Sequence, residues 1–231
     1  MKNRLTTYLI EFSNLKLTRP ASDKIRILEI LAVVITAIGK FIFVDYLNLR
    51  LQFVVVTILA WSLYVIYRYK KDNMVLKDWG FRTDNFKSVI KLMLPFAVVS
   101  ILSFFTIGYF QGTLNMSWHI FPLLVTYPIW GSVQQFLTIG LVAGNLNSMK
   151  RLKLNKTLII LFTALLFSVV HYLSIWLMIG TFILALFYGY IYLRAKNIYA
   201  LGLLHGWLGA LFYYTVVNQD PFADVFLKFL N

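Results

Sequence analysis

The chain contains no cysteine. That excludes a disulfide framework, a thiolate metal site and a cysteine nucleophile. Acid is scarce as well: nine Asp and Glu stand against 22 Lys and Arg, and only 13% of the 231 residues are charged. A soluble domain carries about 25% charged residues, enough to coat a water-facing surface. Here 60% of the residues are hydrophobic and 17% aromatic, so a soluble globular domain, a disordered chain and a nucleic-acid-binding protein are all excluded. The expected fold class is all-α: a polytopic transmembrane helical bundle, a single membrane domain over residues 1–231.

A membrane-crossing helix needs about 20 mostly apolar residues. Seven segments qualify, near 27–45, 51–69, 88–109, 119–144, 157–173, 174–193 and 198–217. The break at His171-Tyr172-Leu173-Ser174 separates two of them with little polar material. A single long helix across 157–193 would leave six. The loop charges favour seven. Basic residues crowd the N-terminal arm (Lys2, Arg4, Lys16, Arg19, Lys24, Arg26), the 68–91 stretch, the 145–156 loop (Lys150, Arg151, Lys153, Lys156) and the 194–197 turn (Arg194, Lys196). The alternate connections are nearly bare. Seven spans with a cytoplasmic N-terminus put every basic loop on one side, as basic residues distribute in membrane proteins. The net charge of +13 then has its cause in contact with anionic lipid. Residues 1–26 carry charge throughout and no apolar core of the kind a cleavable signal needs. Leu5, Leu9, Phe12 and Lys16 recur at helical spacing, so the arm is either an interfacial helix or a solvated extension. The tail 218–231, with Asp220, Phe222, Phe226 and Phe229, reads as an amphipathic cap on the opposite face.

Residues 85–219 contain no carboxylate side chain, yet they hold all three histidines, His119, His171 and His205. Ionisable groups at membrane depth are costly and mark functional sites. Two adjacent amides, Gln134 and Gln135, lie in the fourth span, and paired amides in hydrocarbon must face protein or water. Gln134/Gln135, His171 and His205 therefore converge from three spans, either as a site or as hydrogen bonds between helices. Phe167 and His171 share a helical face at i,i+4, as do His205 and Gly209. His119, near the outer end of its span, is expected to stay apart. Gly140/Gly144 and Gly202/Gly206 read as small-residue pairs that let helices pack closely.

This order of motifs resembles the CAAX-protease and bacteriocin-processing family of intramembrane proteases. That family carries E-E-x-x-x-R on one helix, F-x-x-x-H on the next and H-x-x-x-N/D on a later one. Phe167 and His171 match the second motif and His205 opens the third. Trp79-Gly80-Phe81-Arg82 resembles an element that often precedes the core. The resemblance covers about 76–217, with its core at 120–217. It implies a peptidase fold in which the first glutamate activates water. Here that position is Gln134, the second glutamate is Gln135, the arginine falls at Ile139, and the Asn/Asp that helps stabilise the oxyanion falls at Gly209.

An amide oxygen accepts hydrogen bonds but is barely basic. General-base catalysis contributes about 10²–10⁴-fold and one oxyanion donor about 10²–10³, so these replacements remove most of the hydrolytic power. The positions Gln134, Gln135, His171 and His205 are the expected catalytic-motif residues, with Phe167 and Gly209 as the expected substrate-binding ones. Catalytic zinc takes three ligands. Two histidines fall short, and Glu29 is the one intramembrane acid that could complete a set, although beside Arg26 it reads first as an interface residue. No cofactor is expected. The expected role is a degenerate member that binds a membrane-associated peptide or protein, of the immunity or scaffold type, in a bacterial cytoplasmic membrane. The alternatives are an active atypical endopeptidase using His171 or His205, and a small transporter lined by the same polar groups.

Overall fold

The structure is a computed structural model that describes residues 21–227. The proposed interfacial helix at Leu5–Lys16 and the end of the tail, including Phe229, lie outside the described residues. Among those described, all regular structure is helical. The helices fall where the apolar segments predict: α1 (Asp23–Gly39, widening into a π-helical stretch Lys40–Tyr46), α2 (Arg50–Lys71), α3 (Phe86–Gln111), α4 (Ile120–Gln135, continuing through Phe136–Ala143 and Gly144–Ser148), α5 (Lys156–Val169), α6 (Ile175–Ala195) and α7 (Ile198–Phe212, continuing through Tyr213–Val217). Five are long and apolar enough to cross a membrane: Asp23–Tyr46, Arg50–Lys71, Phe86–Gln111, Ile175–Ala195 and Ile198–Val217. The α5 helix is shorter, at 14 residues.

The break at 171–174 is real. His171 N–H bonds to Ser168 O at 2.9 Å and Ser174 N–H to His171 O at 3.0 Å, closing two turns. The Ser174 hydroxyl then caps α6 by accepting from Leu177 N–H, so the chain reverses rather than running on.

The basic segments meet at one end of the bundle. Asp23, at the start of α1, accepts the backbone N–H groups of Lys150 and Arg151. The 72–85 loop folds over the α6–α7 turn: Tyr192 OH donates to Trp79 O at 2.9 Å, Lys196 Nζ to Asp78 O at 3.0 Å, and Asn197 Nδ2 to Arg82 O at 2.8 Å. Lys196, one of the basic residues of the 194–197 turn, is packed beneath this loop, and burial pulls its ammonium below the ordinary lysine range. A buried polar cluster braces the same end. Glu29 accepts from Arg68 Nη1, from Tyr64 OH at 2.6 Å and from Asn145 Nδ2 at 2.7 Å, tying α1, α2 and α4 together. Glu29 thus lies at the basic end near Arg26, as the sequence suggests, but it is buried and every hydrogen bond it makes goes to this cluster.

At the opposite end, His119 Nδ1 meets Asp220 Oδ2 at 2.5 Å, and Tyr214 OH donates to Asp220 at 2.7 Å. This ties the start of α4 to the end of α7 and to the residues that follow it, and it keeps His119 away from the other two histidines.

Helices α4 and α7 form the tightest pair. A Cβ on Gly206 would sit 2.4 Å from Pro128 N, and one on Gly202 would sit 2.5 Å from Ser132 Cα. Only a residue without a side chain allows this approach. Pro128 has no N–H to give to the carbonyl four residues back. That carbonyl, Leu124 O, instead accepts the indole N–H of Trp207 on α7 at 3.0 Å. The same proline that interrupts the α4 ladder therefore supplies a bond between the helices that carry the glutamine pair and His205.

Candidate functional site

His205 stands one residue before Gly206, on the face where α7 touches α4. The sequence leaves His205 only about 10 Å along its span and His171 about 21 Å along its own, at 1.5 Å per residue. In the structure both histidines nevertheless line one cavity, and the start of α7 is buried: Asn197 and Ile198 lie beneath the 72–85 loop, with Ile198 N–H donating to Gly80 O at 2.8 Å. Gly80 takes φ +91°, and a Cβ there would lie 3.1 Å from the Lys196 carbonyl carbon.

Two adjacent amides grip the imidazole. Gln134 Oε1 lies 3.0 Å from His205 Nε2, and Gln135 Nε2 lies 3.1 Å from His205 Nδ1. An amide oxygen can only accept and an amide nitrogen can only donate. Nε2 therefore carries the proton, Nδ1 offers its lone pair, and the ring is neutral with both nitrogens engaged. The Gln135 side-chain oxygen is buried with no partner. Directly after this pair, α4 widens into π-helix at Phe136, a distortion found often at functional sites.

His171 sits in the turn after α5. Its Nδ1–H donates to Phe167 O at 2.9 Å, which leaves Nε2 as a free acceptor. Phe167 is buried, with its ring centroid 5.2 Å from that of His171 and 5.7 Å from that of His205. It spaces the two rings from behind.

Gln134, His171, His205 and Gly209 line one cavity of about 110 Å³, large enough to hold several waters. Of the six residues singled out from the sequence, these four face the cavity. Gln135 and Phe167 support it from outside its lining, so Phe167, expected to bind substrate, serves the rings instead. Gly209 has nothing within 4 Å of where a Cβ would stand, so the missing Asn/Asp side chain leaves open space there.

Sequence reasoning missed the rest of the wall. Tyr127 and Trp130 come from α4, Thr181 from α6, and Phe212 and Tyr213 from α7. Helical spacing could have found several of them: Tyr127 and Trp130 precede Gln134 by seven and four residues, and Tyr213 follows Gly209 by four. The Tyr127 and Tyr213 rings meet edge to face at 6.4 Å, and neither hydroxyl has a hydrogen-bond partner among the described residues.

Chemically, the cavity offers donors from the Gln134 amide and two phenols and an acceptor at His171 Nε2, with no carboxylate. Such a set can hold the carbonyl and N–H of a peptide. It does not suit zinc. Both His205 nitrogens are occupied, Glu29 is committed to its own cluster, and among the described residues no three His, Asp or Glu side chains come together.

A family model described as type II CAAX prenyl endopeptidase Rce1-like matches residues 85–211. No curated protein and no solved structure matches the chain. The match runs from α3 into α7 and takes in every residue of the cavity wall except Phe212 and Tyr213, and it begins after the Trp79–Arg82 element. The chain belongs to this family.

Proposed function

We propose that this multi-pass membrane member of the Rce1-like CAAX endopeptidase family holds a segment of a membrane-associated peptide or protein without cutting it. The carrying observation is the amide grip on His205. In the family pattern the position of Gln134 is the acid that activates water. Here the amide oxygen only accepts the Nε2 proton, and the lone pair of Nδ1 is consumed by Gln135. Neither group can take a proton from water in a transition state. Gly209 leaves no donor at the oxyanion position. What remains is a small, mostly apolar cavity with a few polar groups, walled largely by aromatic side chains and of a size for a peptide unit. A binding role of the immunity or scaffold type fits these properties, as does a seven-span topology with the basic end in the cytoplasm.

The loss is coordinated. The acids at 134 and 135 and the arginine at 139 are all replaced by neutral residues, Gln134, Gln135 and Ile139. Removing acid and base together avoids a buried uncompensated charge, so the fold keeps its site while the chemistry goes.

A second reading rests on His171. Its Nε2 faces no hydrogen-bond partner and its ring is fixed through Nδ1, which is the arrangement a histidine base needs. Under this reading the protein is a slow endopeptidase.

Proteoliposomes with a library of membrane-anchored peptides separate the two. Wild type is expected to bind peptides and not to hydrolyse them. Gln134→Glu restores an acid that still accepts from His205 Nε2, and hydrolysis is expected to appear with it, by about 10²–10⁴-fold over wild type. Cleavage by wild type that His171→Ala abolishes would instead establish the second reading.

A further inference from the structure

A groove of about 870 Å³ runs between α1 and the loop that joins α4 to α5, at the basic end of the bundle and outside the histidine cavity. Its polar end carries four cations, Lys24, Arg26, Lys150 and Arg151, against one acid, Asp23. That acid accepts the backbone N–H groups of Lys150 and Arg151; with Glu29 and Asp78 it also attracts the Arg26 guanidinium, but among the described residues none of the three makes a direct ion pair with it. Arg26 is the centre of the arrangement. Its side chain is only 7% exposed, its Nε donates to Ala21 O at 3.1 Å, and its Nη1 is buried with no acceptor. A buried guanidinium N–H without a partner is an unmet demand for an anion. The rest of the groove is apolar, walled by Ile27 and Leu31 of α1 and by Leu146 and Leu152.

We propose that this groove binds an anionic glycerophospholipid of the adjoining leaflet. The phosphate would meet Arg26, with Lys24, Lys150 and Arg151 around it, and an acyl chain would lie along Ile27, Leu31 and Leu146. Three features select a lipid over a free anion. The cations sit at the head of an apolar channel, the groove opens beside a helix that is apolar enough to cross the membrane, and basic clusters at this level attract anionic headgroups. A guanidinium suits a phosphate because it offers two parallel donors. This site shares no residue with the cavity around His205, so it stands whether or not that cavity binds peptide.

The test uses the full-length protein in a neutral detergent, with native mass spectrometry reading bound lipid. Dioleoyl phosphatidylglycerol is expected to be retained in preference to dioleoyl phosphatidylcholine, and glycerol 1-phosphate should not displace it. Arg26→Gln and Lys150→Gln are each expected to weaken retention by about fivefold, the contribution of one cation at such a surface, with Arg26→Lys recovering part of it. If Arg26→Gln fails to fold, Lys150→Gln combined with Arg151→Gln carries the test from an exposed loop. Equal retention of the two lipids, unchanged retention in the variants, or displacement by glycerol 1-phosphate would each overturn the proposal.

Discussion

The N–H of Ile198 donates to the carbonyl of Gly80 at 2.8 Å, which ties the start of α7 to the 72–85 loop seven residues before His205. The loop holds that position because Gly80 takes a left-handed conformation (φ +91°) with the backbone of Lys196 and Asn197 packed against it.

Gly80→Ala should therefore cost about 1–3 kcal/mol, the usual range for a side chain forced into this region. It should also loosen the grip on His205. Thermal unfolding in detergent measures the first effect. The second is read from the imidazole nitrogen shifts of His205, which should move toward those of a ring exchanging between tautomers. An unchanged melting midpoint would show that the loop does not set the helix start.

The orphaned oxygen of Gln135 supports a second prediction. Ile139 lies one helical turn further along and is fully buried. Gln135→Glu alone places an unpaired carboxylate in that interior and should destabilise the protein by about 3 kcal/mol or more. Ile139→Arg alone should do likewise with the opposite sign of charge. Together they restore the acid–base pair of the family pattern, so the double variant should be more stable than the sum of the single effects allows. A double-mutant cycle on unfolding in detergent measures the coupling. Strict additivity would mean that the two positions do not meet.

Acid should weaken the loop through Asp84. Arg82 Nε donates to Asp84 Oδ1 at 3.0 Å and Nη2 to Oδ2. The hydrogen bond from Arg82 holds the carboxyl below its ordinary value of 3.8. A depressed carboxylate stabilises the folded state above its unfolded value and loses that stabilisation as pH falls through the folded one. The gap in melting midpoint between wild type and Asp84→Asn should therefore be constant from pH 8 to pH 5 and close only below about pH 4. Because the Asp84 side chain is 55% exposed, the gap should be small, within about 1 kcal/mol. A gap that closes already near pH 6 would point to a different group.

Much of this protein was legible before any fold was known. The apolar segments located the principal helices among the described residues, five of them long and apolar enough to cross a membrane, because a membrane helix must satisfy its backbone internally and needs a continuous apolar run to do so. The break at His171–Ser174 was legible from a serine that caps α6. Charge asymmetry foretold that Lys150, Arg151, Lys196 and the start of α1 share one end. Two amides and two histidines in an acid-free stretch could be expected to converge, since isolated polar groups at that depth are costly.

The adjacent glutamines were harder to read. Neighbouring residues on a helix point about 100° apart, which argues against both reaching one partner. They do so because the two imidazole nitrogens lie on different edges of the ring, and because Gly202 and Gly206 bring α7 close enough for the pair to close around it. The brace around Glu29 was not legible for a related reason. Its partners Arg68 and Asn145 are distant in sequence, and nothing local announces them.

Composition, periodicity and charge thus determined by themselves that the chain is a membrane helical bundle and where its helices run, and the resemblance of its motifs to the family implied that amides stand where the family has acids. These follow from each residue's own solvation and chemistry. Tertiary structure alone decided how deep His205 sits, which ring nitrogen each amide takes, and that Glu29 belongs to a brace and not to the site. Those outcomes depend on how closely separate helices approach and on which loop lies beneath them, and contacts between distant parts of a chain set both.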